Sequence, residues 1–176
     1  MDRPSFAVFI ATSADGFIAR PDGRVDWLEP FQTPGEDYGY AAFAASVDAL
    51  VIGRKTYDTV LAFPEWPYAG KKVVVWTRGE DAPKHGARFL SAEPAALAAT
   101  LHAEGVRKVY LDGGRTISAF LAADLVDELT VSIVPRVLGD GIPLFRPPLP
   151  DLALALLEAK PYPNGLVQLR WKRVRP

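Results

Sequence analysis

The stretch Tyr110-Leu111-Asp112-Gly113-Gly114-Arg115-Thr116-Ile117 runs from an apolar strand, through two adjacent glycines, into a helix. Lys108 to Leu111 has the make-up of a strand, and Ile117, Phe120 and Leu121 recur at i, i+3 and i+4, the spacing of one helix face. Such a corner leaves helix N–H groups unpaired, and glycine lets an anion approach them with no Cβ in the way. A glycine after a strand is also an ordinary turn residue, so one corner alone decides little.

Two further corners share the pattern. Ala49-Leu50-Val51-Ile52 is a buried strand that breaks at Gly53 into Arg54-Lys55-Thr56 and a short helix. Lys72-Val73-Val74-Val75-Trp76 ends at Thr77-Arg78-Gly79. In a parallel sheet the carboxyl ends of the strands lie along one edge, where ligands bind. Arg54, Lys55, Arg78 and Arg115 would add charge-assisted bonds to anionic oxygens there. None of the corners matches G-x-G-x-x-G or the P-loop pattern. A dinucleotide lying across two separate helix starts fits better than an ordinary Rossmann site.

The rest of the chain supplies a frame for these corners. Phe6 to Ala11 reads as a first buried strand, followed by a long polar segment from Thr12 to Gly35, of the length that usually serves function. A helix is expected over residues 36–46, a short strand near Ala87 to Leu90, and a helix within residues 91–105 that starts at Ser and Pro and stops at Gly105. Val126 to Val134 is another strand. Leu152 to Lys160 and Leu166 to Val174 flank Asn164-Gly165, a hairpin signal. Strands alternating with helices, then a hairpin, predict an α/β fold whose central sheet is mixed and mostly parallel, with flanking helices and a C-terminal antiparallel hairpin. Residues 1–176 read as a single domain.

Composition narrows the function. With 49% hydrophobic and 23% charged residues and a net charge of −1, the chain is neither disordered nor a general nucleic-acid binder. It has no cysteine and two histidines, which excludes disulfides, thiolate metal sites and a cysteine nucleophile, and no metal site is expected. No segment reads as a membrane span or a cleaved leader, so a cytoplasmic protein without a membrane partner is expected.

Four stretches, IATSADGFIA (10–19), DALVIGRKTY (48–57), YLDGGRTISAFLAADLVDEL (110–129) and PRVLGDGIPLF (135–145), resemble the dihydrofolate reductase superfamily. Within it the chain is most similar to the reductase domain at the C-terminus of bifunctional riboflavin-biosynthesis enzymes. The resemblance implies a dihydrofolate reductase-like three-layer fold, NADPH as hydride donor and a homodimer. It implies that Gly53, Arg54, Lys55 and Thr56 hold the 2′-phosphate and pyrophosphate, with Arg54 reading the 2′-phosphate. Thr77 and Arg78 would flank the adenosine ribose. Gly113, Gly114, Arg115 and Thr116 would meet the pyrophosphate through a cis Gly-Gly peptide. Thr12, Ile18 and Ala19 would begin the loop that covers the nicotinamide.

The substrate end departs from both relatives. In VDWLEPFQTPGEDY (25–38), Asp37 falls about where dihydrofolate reductases carry their acid, and Asp26 beside Trp27 is a second candidate. Asp37 at a helix start reads equally as charge complementing the dipole. Trp27 and the Phe31 region are candidates to stack on a flat heterocycle. A hydride transfer to C=N needs positioning, exclusion of water and a proton donor. The leading expectation is an NADPH-dependent reductase of a small heterocycle or imine, pterin-like or pyrimidine-like. The alternative is a reductase of an aminouracil ribosyl phosphate, for which Arg20, Arg24 and Arg136 are the candidate phosphate ligands. A nucleotide-binding sensor without turnover is the reading from another class.

Overall fold

The structure, a computed structural model, describes residues 3–79 and 82–175. Its strands are β1 (Ser5–Ser13), β2 (Phe17–Ala19), β3 (Ala49–Gly53), β4 (Lys72–Trp76), β5 (Arg88–Leu90), β6 (Lys108–Asp112), β7 (Val126–Val134), β8 (Ile142–Pro143), β9 (Leu154–Pro161) and β10 (Val167–Arg173). The helices are α1 (Tyr40–Ala45), α2 (Arg54–Leu61), α3 (Pro94–Ala103) and α4 (Gly114–Ala122). Eight strands form one sheet in the order β5-β4-β3-β6-β1-β7-β10-β9. The first six in that order run parallel, and β10 pairs antiparallel with both β7 and β9.

Strand alternation divides the core between the two faces. Phe6, Val8, Val51, Val74, Val109 and Leu111 point to one side and meet Leu97 and Leu101 of α3 and Ile117, Phe120 and Leu121 of α4. Leu50, Ile52, Val73, Val75 and Tyr110 point to the other, where Tyr57 and Val60 of α2 and Phe43 of α1 cover them. Phe120 is fully buried, and each such side chain contributes about 1.5–3 kcal/mol by leaving water. Both faces being covered explains why β3, β4 and β6 read as unbroken apolar runs.

Helix boundaries differ from the expected ones where side chains decide them. α1 begins at Tyr40, not at residue 36, because Tyr38 (φ +55) and Gly39 (φ +84) take left-handed conformations and hold the preceding residues in turns. α3 begins at Pro94 with Glu93 as its cap residue, so Ser91 lies before the helix; Gly105 (φ +78) ends it as expected. The hairpin forms at Asn164-Gly165, with Gly165 at φ +88.

The polar segment after β1 is more ordered than its composition suggests. It contains β2, which pairs with β8, and a 3₁₀ turn over Asp26–Phe31. The Asp15 carboxylate accepts N–H groups of Leu138 and Gly139 at 3.1 and 2.8 Å, and Leu144 donates to the Gly16 carbonyl. Hydrogen bonds from Ser13 and those two amides pull Asp15 down to about 2, so it is an anion pinning two loops. Gly141 is required there, because a Cβ would stand 2.3 Å from the Ala19 carbonyl oxygen. Among the described residues no helix is long and apolar enough to cross a membrane.

Candidate active site

The parallel register brings the three corners level. Gly53 pairs with Trp76 and Ile52 with Asp112, so β3, β4 and β6 end together at one edge of the sheet. A cleft of ≈ 1790 Å³ opens there, and Gly53, Arg54, Lys55, Thr56, Thr77, Arg78, Gly113, Gly114, Arg115 and Thr116 all line it. Ile18 and Ala19 line it as well. Thr12 does not: it is buried at 4% exposure, outside the cleft lining. The residues before it in β1, Phe9, Ile10 and Ala11, do reach the cleft.

The glycine corner is built by close approach. Gly113 has φ +95, and a Cβ on it would meet the Thr56 hydroxyl at 2.8 Å. A Cβ on Gly114 would meet the Pro143 carbonyl at 2.9 Å and the Ile18 side chain at 3.0 Å. The first intrahelical bond to Gly113 comes from Ile117, which leaves the N–H groups of the turn before it facing the corner. The Gly113–Gly114 peptide is trans, against the expectation of a cis bond; the cis peptide among the described residues is Pro147–Pro148. The positive φ of Gly113 alone turns the chain from strand to helix.

Arg54 is half-buried, reaches the Asp58 carboxylate at 2.9 and 3.1 Å and lies over the Phe89 ring at 5.4 Å. Its guanidinium is thereby held at the cleft wall beside the start of α2. Thr77 accepts the Gly79 N–H at 3.1 Å, and the Trp76 indole donates to the Ala92 carbonyl at 2.8 Å, which fixes the outer corner.

The other end of the cleft is bounded by β1, β7 and residues 25–40, the segment that carries both acids expected from sequence. The Asp37 carboxylate accepts the N–H groups of Gly39 and Ala41, both at 2.9 Å, so it caps α1. Those bonds, Ala41 first, hold it below the usual carboxylate range, which suits an anion and not a proton donor. Asp26 is bound by Arg20 at 2.7 and 3.0 Å, which likewise lowers it, and it lies outside the cleft lining. Trp27 is fully buried with Val134, Tyr162 and Leu166 and cannot stack on a ligand. Phe31 does line the cleft. Trp66 is stacked on His85, with Tyr57 and Tyr68 at its edge.

A third acid emerges instead. Asp112, partly buried at the end of β6, faces the cleft beside Tyr40, Tyr68 and Tyr110. Burial raises it to about 6, against the Gly113 N–H at 2.7 Å and the Tyr110 hydroxyl, which favour the ion. All three tyrosines are raised, by burial first and then by the Asp112 charge. Asp112 was legible as the last residue of a strand at a glycine corner; its desolvation was not, because Tyr68 reaches it from a distant loop.

The RibD C-terminal domain family model matches residues 4–168. The chain belongs to that family. The RibD protein of Corynebacterium ammoniagenes is 30% identical over 84% of this chain, which spans 48% of that protein. The uncharacterized Bacillus subtilis protein YwjB is 35% identical, with 98% of this chain and 99% of that one covered. A crystal structure from Shewanella sp. PV-4, of a protein named for riboflavin biosynthesis, superposes with TM-score 0.91 at 36% identity, covering 97% of this chain and 99% of that one. The RibD C-terminal domain is a reductase domain of dihydrofolate reductase-like fold, and RibD-type reductases generally use NADPH.

The corners of this RibD domain fit such a phosphate-bearing dinucleotide on their own chemistry. The Thr116 hydroxyl is buried and has no hydrogen-bond partner among the described residues, a costly state unless a ligand completes it. It lies at the start of α4, 3.2 Å from where a Cβ on Gly53 would stand. Glycine on both sides keeps open the space that an anion would take.

Proposed function

We propose that this RibD-type domain is an NADPH-dependent reductase that delivers a hydride to a C=N or C=O carbon of a nitrogen heterocycle or its N-linked sugar. The observation that carries the reading is the level meeting of three strand ends, with the Thr116 hydroxyl, unpartnered among the described residues, between the Gly53 and Gly113 corners. The RibD relationship supports a pyrimidine-type acceptor, of the aminouracil class, over a dihydropterin.

In this reading Gly113 to Thr116 hold the pyrophosphate at the start of α4. Arg54, Lys55 and Thr56 hold the 2′-phosphate, and Thr77 and Arg78 border the adenosine. The Arg54–Asp58 pair is a partly exposed ion pair worth at most about 1 kcal/mol. Ile18 and Ala19 exclude water from the reacting carbon. The nicotinamide supplies the hydride. The proton that completes the reduction comes from the Asp112 carboxyl, whose raised affinity keeps it partly protonated near neutral pH. Asp37 and Asp26, tied up as cap and ion pair, are not assigned that step.

The test is a tryptophan-fluorescence titration with NADPH and NADH, on the wild type and on Arg54→Ala. NADPH is expected to bind tighter by one to two decades, about 1.4 kcal/mol each, and the mutant to lose most of that preference. Equal affinity for both dinucleotides would remove Arg54 from the reading. NADPH binding without oxidation by any aminouracil or pterin acceptor would favour the sensor.

A further inference from the structure

Charge is distributed unevenly along the cleft. Its cationic lining residues are Arg54, Lys55, Arg78, Arg115 and Arg146. The first four stand at the three glycine corners. Arg146 stands beside the second turn of α4, where its N–H donates to the Ser118 hydroxyl at 3.1 Å.

The opposite end has no lysine or arginine among its described lining residues. Its walls are Phe9, Ala11, Leu28 and Phe31, with Gln32 and Ser132 as neutral polar groups. Its own charged lining group is the Asp37 carboxyl, and Asp112, bonded to the Gly113 N–H and close to Tyr40, stands where this end meets the β6 corner. The arginines that the sequence offered for a phosphate are turned to other work or lie elsewhere. Arg20 is bound bidentately by Asp26, Arg24 meets Asp22 at 2.6 Å, and neither they nor Arg136 line the cleft.

We infer that the acceptor end of this cleft takes a flat nitrogen heterocycle that carries no phosphate, one that is neutral or cationic. This rests on the reductase reading above and specifies its substrate class. A phosphomonoester held here would give up water for two carboxyls and no cation, an uncompensated cost of the kind that excludes a ligand. A ring edge rich in N–H donors finds acceptors instead, in Asp112 and in the Ser132 hydroxyl. The apolar side chains offer a surface for its faces.

The experiment uses the protein saturated with NADP+, so that the corner cations are occupied. Ribose 5-phosphate is titrated first, then a matched pair, an aminouracil riboside and its 5′-phosphate. No saturable binding of ribose 5-phosphate is expected, and the riboside is expected to bind at least roughly tenfold tighter than its phosphate. Gln32→Arg, which sets a cation on the acceptor wall, is expected to narrow or reverse that preference. Saturable binding of ribose 5-phosphate to the NADP+ complex, or a phosphate bound tighter than its riboside, overturns the inference while leaving the reductase reading intact. Failure to bind NADP+ at all, seen in the preceding step, overturns both.

Discussion

The carboxyl of Asp112 sits between opposing influences: desolvation favours its neutral form, and the Gly113 N–H and Tyr110 hydroxyl favour the ion. Desolvation wins, and the group rises from 3.8 to about 6. A native state that holds this proton more tightly than the unfolded chain loses stability as pH rises through that interval, and no more above it. Urea midpoints of wild type and Asp112→Asn, compared at pH 5 and pH 7, are therefore expected to shift in favour of the mutant at the higher pH. In turnover, kcat is expected to fall as pH rises through about 6. Asp112→Asn is expected to lower it by about 10²-fold or more and to abolish that inflection. A mutant that keeps both rate and inflection would take the proton donor elsewhere. At Gly113 the backbone decides: φ +95 and a Cβ only 2.8 Å from Thr56 oppose any side chain. Gly113→Ala is expected to cost roughly 1–3 kcal/mol in urea unfolding and to weaken NADPH binding. Unchanged values on both counts would mean that the corner can relax.

Among the elements, the C-terminal hairpin reaches furthest from its own sequence. The Asn164 amide donates to the Tyr38 hydroxyl at 2.7 Å and to the Phe31 carbonyl at 3.3 Å, while its oxygen accepts the Leu166 N–H at 3.2 Å. Gln168 of β10 donates to the Tyr38 carbonyl and the Ser132 hydroxyl, both at 3.0 Å. The loop that walls the acceptor end is thus tied down by β10 and the turn before it. Asn164→Asp keeps the turn bond and removes the donated ones, to Phe31, Thr33 and Tyr38. It is expected to speed amide hydrogen exchange over residues 31–38 while shifting global stability by about 1–2 kcal/mol at most. Uniform exchange acceleration across the sheet would instead indicate a folding role. The hairpin itself was legible in Asn164-Gly165, and so were β3, β4 and β6, whose apolar runs decide their own state, and β7, rich in β-branched residues. The short β2–β8 pair was not, because strands of three and two residues exist only where the Asp15 anchor brings two loops together.

Across the whole molecule, the two edges of the sheet are treated differently. β5 is a three-residue edge whose Arg88 is paired with Glu104 at 2.8 Å, a short and charged end that resists further pairing. β9 is eight residues long and exposes Leu154, Leu156 and Leu157. An apolar edge of that length supports the homodimer proposed from the family resemblance. Light scattering on the purified protein is expected to give a dimer that Leu156→Arg shifts to monomer. A monomeric wild type at tens of micromolar would leave β9 as an uncovered edge and end that proposal.

Local pattern by itself determined the α/β class, the three polar corners at the strand ends, two of them leading into helices, and the hairpin, because strand runs, helix spacing and glycine turns are written in neighbouring residues. It also marked Gly53 to Thr56, Thr77-Arg78 and Gly113 to Thr116, which the parallel register then set level. Tertiary structure decided the rest. Thr12 and Trp27 went into the core, Asp37 became a cap and Asp26 an ion partner, while Asp112 was desolvated by tyrosines from elsewhere in the chain. A side chain's proton affinity and its access to a ligand depend on which distant groups pack around it, and no spacing within a strand or helix encodes that.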